Sequence, residues 1–150
     1  MSKEHDAGMS LIVKVITRLT VGLILLYGIY IVLHGHISPG GGFAGGVIIA
    51  LSFVNLMLAY GKDVALKKLP KSAMSFFESM GAILFLSIAL LGFTGGYFFL
   101  NFISKGEPFR LFSAGTIPFS DIAIGIIVST GIFSIFITLI LLKFEWEKKE

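Results

Sequence analysis

The sequence predicts an all-α integral membrane protein, a single domain of 150 residues that crosses the bilayer four times. Apolar residues make up 55% of the chain and charged residues only 14%, which is more apolar surface than a water-soluble domain of this length can bury. Four apolar stretches are long enough to cross the hydrocarbon of a bilayer: 11–33, 43–60, 76–103 and 119–142.

The basic residues divide unevenly between the two ends of these spans. Only Lys105 and Arg110 lie at one end, whereas the other end carries Lys3, Lys14, Arg18, Lys62, Lys67, Lys68, Lys71, Lys143, Lys148 and Lys149. Because cytoplasmic segments of membrane proteins are enriched in Lys and Arg, both termini and the loop 61–72 are predicted to be cytoplasmic. Residues 1–10 are polar and mixed in charge, so we expect the first span to be retained as a helix.

Two cations stand within the first span. Lys14 and Arg18 are four residues apart and therefore share one helical face. Long basic side chains near the end of a span can reach the lipid headgroups, which is one interpretation of both residues. The alternative is that Arg18 pairs with an acidic side chain inside an assembly.

The second span begins in a cluster of glycines. Gly42, Gly46 and Ala50 recur every four residues, as do Gly41 and Gly45. Small residues at this spacing let a neighbouring helix approach to backbone contact, which is how helices associate in lipid. We therefore expect close helix packing along this span.

Two acidic residues stand in the last two spans. Glu78 lies near the cytoplasmic end of the third span, at a depth similar to that of Arg18, and is either a functional carboxylate or the partner of Arg18 or Lys14 in an ion pair. Asp121 stands at the start of the fourth span, which predicts an N-cap of that helix. The alternative for Asp121 is a place on a cation path.

The segment between the first two spans is the most informative in the chain, and residues 34–46 read HGHISPGGGFAGG. A phosphate-binding loop is excluded, because no Lys-Ser/Thr pair follows the glycines and the segment follows an apolar span. A metal site is disfavoured, because His34 and His36 would point to opposite sides of an extended chain, with no third ligand nearby in the sequence.

Two interpretations of this segment remain. Three consecutive glycines after Pro39 can adopt positive φ and permit close backbone approach, so the segment can be a sharp turn that allows tight helix packing. It can also serve transport, because the imidazole of His36, and that of His34, can pass protons at an aqueous entrance. Irregular backbone here would expose carbonyl and amide groups that can orient a cation.

The same segment resembles the signature of the MrpB family, also called MnhB, through Gly35-His36, Pro39 and the glycines around Phe43, with Tyr30 and Leu33 upstream. That family supplies a small subunit of multisubunit Mrp-type sodium/proton antiporters, and similar subunits occur in archaeal membrane-bound hydrogenases and sulfane-sulfur reductases. The resemblance places the family motif on His36, Pro39, Gly40, Gly41, Gly42, Phe43, Gly45 and Gly46. Ala44 departs from the Gln found at that position in many relatives.

The resemblance implies an accessory subunit of a Mrp-type cation/proton-translocating complex in the plasma membrane of a prokaryote. It would pack against other membrane subunits in the lipid bilayer and help form a pathway for sodium ions and protons. Candidates on that pathway are His36, Glu78, Arg18, Asp121, His34 and Lys14, with Arg18 tuning Glu78. The alternative is a purely structural subunit in the membrane arm of a redox-driven hydrogenase or sulfane reductase, with no ion contact.

Other functional classes find little support in the sequence. The chain has no cysteine, which excludes thiol catalysis and thiolate metal sites. No nucleophile–base pair or metal-ligand cluster can be assembled, so we expect no catalytic residue, metal or cofactor in this chain alone. No nucleic-acid-binding signature is present, and membrane topology explains the net charge of +3.

Overall fold

The computed structural model describes residues 9–103, 106 and 113–147, with the backbone alone at 144 and 147. Within these ranges the chain is helical and has no strand: α1 (Leu11–Leu33), α2 (Gly41–Tyr60), α3 (Lys62–Lys68), α4 (Lys71–Leu91), a 3-10 helix (Gly92–Gly95) and α5 (Ile117–Glu147). Five of the charges behind the topology prediction lie outside the described residues: Lys3, Lys105, Arg110, Lys148 and Lys149.

Four of the helices, α1, α2, α4 and α5, are long and apolar enough to cross a membrane. This confirms the prediction of an all-α protein with four spans. Leu11, Leu19 and Leu23 on α1 are each more than two-thirds exposed, as expected of a helix whose solvent is lipid. The cytoplasmic placement of both termini stays a prediction.

The helices pack in the order α1, α2, α5, α4. α2 lies between α1 and α5 and is the most buried of the four spans. α4 packs against α5, and in the described part of the chain it makes no extensive contact with α1. We call the end of the bundle at residues 34–41 the outer end, and the end at α3 the inner end.

The third span differs from the prediction of 76–103. α4 begins at Lys71, directly after Pro70, whose fixed φ of −69° suits the start of a helix. It ends at Leu91 because the following glycines turn the chain, with Gly96 at a φ of 110°. The chain then folds back, and an added Cβ at Gly92 would lie 2.5 Å from the Leu100 nitrogen.

The predicted loop 61–72 contains the short helix α3, which the sequence analysis missed. Asp63 lies in its first turn, and Lys67 and Lys68 lie in its last, so both ends complement the helix dipole. Ala65 is fully buried and joins α3 to the core of the inner end.

Large side chains fill the inner end. Phe133 and Ile137 of α5 are fully buried, and they cluster with Met57 of α2 and Met74 of α4. The ring of Phe53 lies 5.6 Å from that of Phe133 and extends this cluster along α2. The outer end is built differently, from glycines around one carboxylate.

Candidate functional site

The segment after α1 folds into a compact turn. His34 caps the helix with φ −100° and ψ 11°. Its carbonyl oxygen accepts hydrogen bonds from the Ile37 nitrogen at 2.9 Å and from the Ser38 nitrogen at 2.8 Å. The Ser38 hydroxyl donates to the same oxygen at 3.0 Å. The extended chain assumed in the sequence analysis is therefore wrong, and the histidines are placed by a turn.

His34 belongs to the end of α1. Its ring stacks on Tyr30 with centroids 4.1 Å apart, and Nδ1 lies 3.0 Å from the Tyr30 carbonyl oxygen. Residues 9–103, 106 and 113–147 contain no group of three His, Cys, Asp or Glu side chains that could hold a metal ion. The ring of His34 therefore contacts the last turn of α1, through Tyr30.

Two glycines with positive φ lead from the turn into α2. Gly40, at the N-cap, has a φ of 136°, and Gly41, the first residue of the helix, has a φ of 63°. Residues with a Cβ rarely adopt these φ angles, so both positions require glycine. The first amides of α2 have no partner within their own helix, as at every helix start.

Asp121 of α5 supplies a partner for one of these amides. Its Oδ1 accepts a hydrogen bond from the Gly42 nitrogen at 3.1 Å. Asp121 was predicted to be the N-cap of the fourth span, but α5 already begins at Ile117, so Asp121 lies in its second turn. The carboxylate instead caps α2, a different helix, where the positive end of the helix dipole favours an anion.

The carboxylate of Asp121 is enclosed by glycine backbone. An added Cβ at Gly35 would lie 2.5 Å from Asp121 Oδ2 and 2.6 Å from the Gly41 Cα. A Cβ at Gly42 would overlap the Asp121 backbone carbonyl. We call the space bounded by Gly35, Gly41, Gly42 and Asp121 the Asp121 niche. Its Oδ2 atom is buried and makes no hydrogen bond to any residue that the structure describes.

His36 directly follows Gly35 and is half-buried, with its Nδ1 atom enclosed by protein. Among the ion-pathway candidates, the turn and the niche therefore place His34, His36 and Asp121 at the same end of the bundle. The side chains of Pro39 and Phe43 are exposed, Phe43 by 64%, so these two motif residues do not pack inside this chain.

Glycines continue the close contact away from the niche. A Cβ at Gly45 would lie 2.5 Å from Val32 Cγ2 and 2.8 Å from the Gly28 carbonyl of α1. A Cβ at Gly46 would lie 2.8 Å from Val128 Cβ and 2.9 Å from the Gly125 carbonyl of α5. α2 therefore uses successive glycines to approach one neighbour on each side, and we call these contacts the glycine seam.

The remaining candidates lie elsewhere. Arg18 and Glu78 are exposed on α1 and α4, which share no extensive contact within the described ranges. The structure does not support the predicted tuning of Glu78 by Arg18, because α2 and α5 lie between the two helices. Lys14 is half-buried, and its backbone carbonyl accepts a hydrogen bond of 2.8 Å from the Tyr60 hydroxyl.

Asn101 was not among the residues predicted from the sequence. Its amide nitrogen donates to the Ala114 carbonyl at 2.9 Å, and its Oδ1 accepts from the Thr116 nitrogen at 3.0 Å. These bonds tie the chain after α4 to the residue before α5, and so fix the start of the helix that carries Asp121. The signal available was a single amide in an otherwise aromatic and aliphatic run, 97–103.

Relatives of this chain include subunits of antiporters. An uncharacterised protein of Methanocaldococcus jannaschii is 37% identical over 121 residues, covering 73% of this chain and 44% of that protein. A Staphylococcus epidermidis protein named as antiporter subunit mnhB2 is 38% identical over 68 residues, covering 45% of each. This chain therefore spans less than half the length of these curated relatives.

The fold is similar to that of a chain in the solved structure of the membrane-bound sulfane sulfur reductase, an archaeal respiratory membrane complex. The TM-score is 0.73 at 28% identity, covering 91% of this chain and 62% of that one. A family described as a domain related to the MnhB subunit of Na+/H+ antiporters matches residues 12–134, from the first turn of α1 to the middle of α5. Because this match extends over most of the sequence, the chain belongs to that family of MnhB-related domains.

Proposed function

We propose that this chain is an accessory subunit of a Mrp-type cation/proton-translocating complex in the plasma membrane of a prokaryote, with both termini in the cytoplasm. Family membership supports a place in a multisubunit membrane complex. The observation that carries an ion-related role is the Asp121 niche, since an ionisable group inside a membrane bundle is costly and most often serves function.

The niche leaves the carboxylate incompletely satisfied. One oxygen accepts the Gly42 amide, while the other is buried and makes no hydrogen bond to the described residues. A buried carboxylate oxygen without a donor is unfavourable unless it binds a proton or a cation. We infer that Asp121 takes up a proton or a sodium ion there, and that His36 in the adjoining turn passes protons towards it.

Polar groups on exposed helix faces support the presence of other subunits. Asn55 is exposed on α2 and Glu78 is exposed on α4. In hydrocarbon, an amide or a carboxylate needs a partner, because no water satisfies it. We propose that neighbouring subunits cover both faces and that a cation from one of them faces Glu78, which replaces the role first assigned to Arg18.

The experiment substitutes the carboxylate without removing the cap. Asp121→Asn keeps an oxygen that can accept the Gly42 amide but carries no charge. In everted membrane vesicles, we expect sodium-dependent proton exchange by the assembled complex to fall by roughly tenfold, or about 1.4 kcal/mol in the rate-limiting barrier. His36→Ala should also reduce exchange while the complex still assembles.

Glu145→Gln is the matched control, because Glu145 is an exposed carboxylate near the end of the same helix. Exchange should be unchanged in this variant. Normal exchange by an assembled complex carrying Asp121→Asn would exclude ion binding at the niche and leave Asp121 as a helix cap only.

That outcome would favour a second candidate function, a purely structural subunit in the membrane arm of a redox-driven complex. The similarity to a chain of the sulfane sulfur reductase complex supports this alternative. Gly42→Leu would then abolish complex formation, whereas Asp121→Asn, His36→Ala and Glu78→Gln would leave ion transport normal.

A further inference from the structure

A cleft at the inner end, separate from the Asp121 niche, lies between α1, α2 and α3. It has a volume of about 340 Å³ and is lined by Arg18, Val21, Leu56, Tyr60, Val64 and Lys68. The Tyr60 hydroxyl donates to the Lys14 carbonyl, so the aromatic wall of the cleft is fixed to α1. The cleft is therefore bounded by three helices, one of them fixed to another by a side-chain hydrogen bond.

Among the residues that the structure describes, the charges that line the cleft are all positive. They are the guanidinium of Arg18 and the ammonium of Lys68, and no carboxylate of a described residue belongs to the lining. The acidic residue of α3, Asp63, is exposed and lies outside the lining. Both cations are exposed among the described residues, so an anionic group can reach them without displacing any part of the chain that the structure describes.

The rest of the lining is apolar, and part of it points away from the charged end. Val21 lies one helical turn beyond Arg18 along α1, and Leu56 lies one turn before Tyr60 in α2, both towards the middle of their spans. A cleft with cations at the rim and aliphatic walls towards the bilayer centre suits an anion that carries a hydrocarbon chain. Free phosphate would leave these walls unused.

We infer that this cleft binds an anionic phospholipid, with its phosphate between Arg18 and Lys68 and its upper acyl chain against Val21 and Leu56. Basic residues where membrane helices meet the headgroups attract anionic lipids. The guanidinium suits phosphate because its planar donors can form two parallel hydrogen bonds. In the proposed orientation, the lipid belongs to the cytoplasmic leaflet.

This inference is tested by measuring which lipids the protein retains. The full-length chain is purified with its accompanying subunits from vesicles of phosphatidylcholine and phosphatidylglycerol. In native mass spectrometry, we expect preferential retention of phosphatidylglycerol. Each cation removed should reduce that preference by about fivefold, so R18Q/K68Q should reduce it by about 25-fold. Arg18→Lys should keep most of it, which separates loss of charge from loss of fold.

The control removes equal charge nearby. Lys67 and Lys71 are exposed but do not line the cleft, so K67Q/K71Q should change the preference by less than about twofold. An equal loss in both double variants would reduce the effect to general surface charge and overturn the inference. Retention of inorganic phosphate alone, with the same dependence on Arg18 and Lys68, would also overturn it.

A photo-reactive side chain placed at Val64 distinguishes lipid from protein. Val64 lines the cleft, and its side chain is partly exposed. A cross-link to phospholipid would support the inference. A cross-link to another subunit would show that protein covers the cleft and would overturn it.

Discussion

The two halves of α2 pack by different means. In the outer half, Gly42, Gly45 and Gly46 are buried where no Cβ fits, so backbone lies against the backbone of α1 and α5. In the inner half, Val54 and Met57 are buried among large side chains of α3, α4 and α5. The outer half of α2 therefore packs closely because it lacks side chains, whereas the inner half packs through the volume of its side chains.

The difference explains where the carboxylate lies. A buried carboxylate needs nearby dipoles, and glycine, which has no side chain, lets a side chain from another helix come close to the backbone amides. The outer half offers the start of α2 and a turn with few side chains, and Asp121 enters between them. In the inner half, aliphatic and aromatic side chains pack around Val54 and Met57 instead. Membrane helices lack a hydrophobic drive to associate, so the closeness of the glycine seam also stabilises the outer half.

Gly46→Leu should give the largest effect, because it adds volume where the backbones of α2 and α5 lie in close contact. The new side chain would meet Val128 and the Gly125 carbonyl, and separating α2 from α5 would also open the Asp121 niche. We expect a loss of about 3 kcal/mol, at the upper end of typical overpacking. Thermal unfolding of the purified chain in detergent, followed by circular dichroism, measures it.

Gly131→Leu is the control for this substitution, because nothing lies within 4 Å of a Cβ added there. It should unfold close to the wild-type temperature. Equal destabilisation by both variants would show that glycine in these helices matters for reasons other than the close contact.

Asp121→Ala should have an intermediate effect on stability. It removes the acceptor for the Gly42 amide, and loss of a helix cap costs about 1–2 kcal/mol. Asp121→Asn keeps an acceptor, so its unfolding temperature should stay close to that of the wild type. Similar losses in both variants would mean that the charge, and not the hydrogen bond, holds the niche together.

The sequence predicts the spans well because each is specified by local composition. The apolar runs and the spacing of Gly42, Gly46 and Ala50 are visible without knowing any neighbour. The close approach of α2 to a neighbouring helix follows from the same spacing of small residues. The end of the third span was wrong because Gly92, Gly95 and Gly96 together turn the chain, whereas each alone is tolerated in a membrane helix.

Pairings between distant segments could not be predicted from local patterns. Gly42 and Asp121 are 79 residues apart, and an acidic residue near the start of a span is normally read as a cap of its own helix. The expected partnership of Arg18 with Glu78 is not supported within this chain for the same reason, because equal depth does not make two helices neighbours. The packing order α1, α2, α5, α4 brings Asp121 next to Gly42 and keeps Arg18 apart from Glu78.

Met74→Leu should have the smallest effect and tests the inner half directly. Met74 is almost fully buried in the cluster that contains Phe133 and Met57, so its replacement changes shape more than volume. Swaps that conserve volume are well tolerated in cores, and we expect a loss below about 1 kcal/mol in the same unfolding experiment. Met80→Leu, at an exposed position of the same helix, should cause no change. If Met74→Leu were as damaging as Gly46→Leu, the inner half would be as intolerant as the glycine seam, and side-chain volume would not be what distinguishes the two ends of α2.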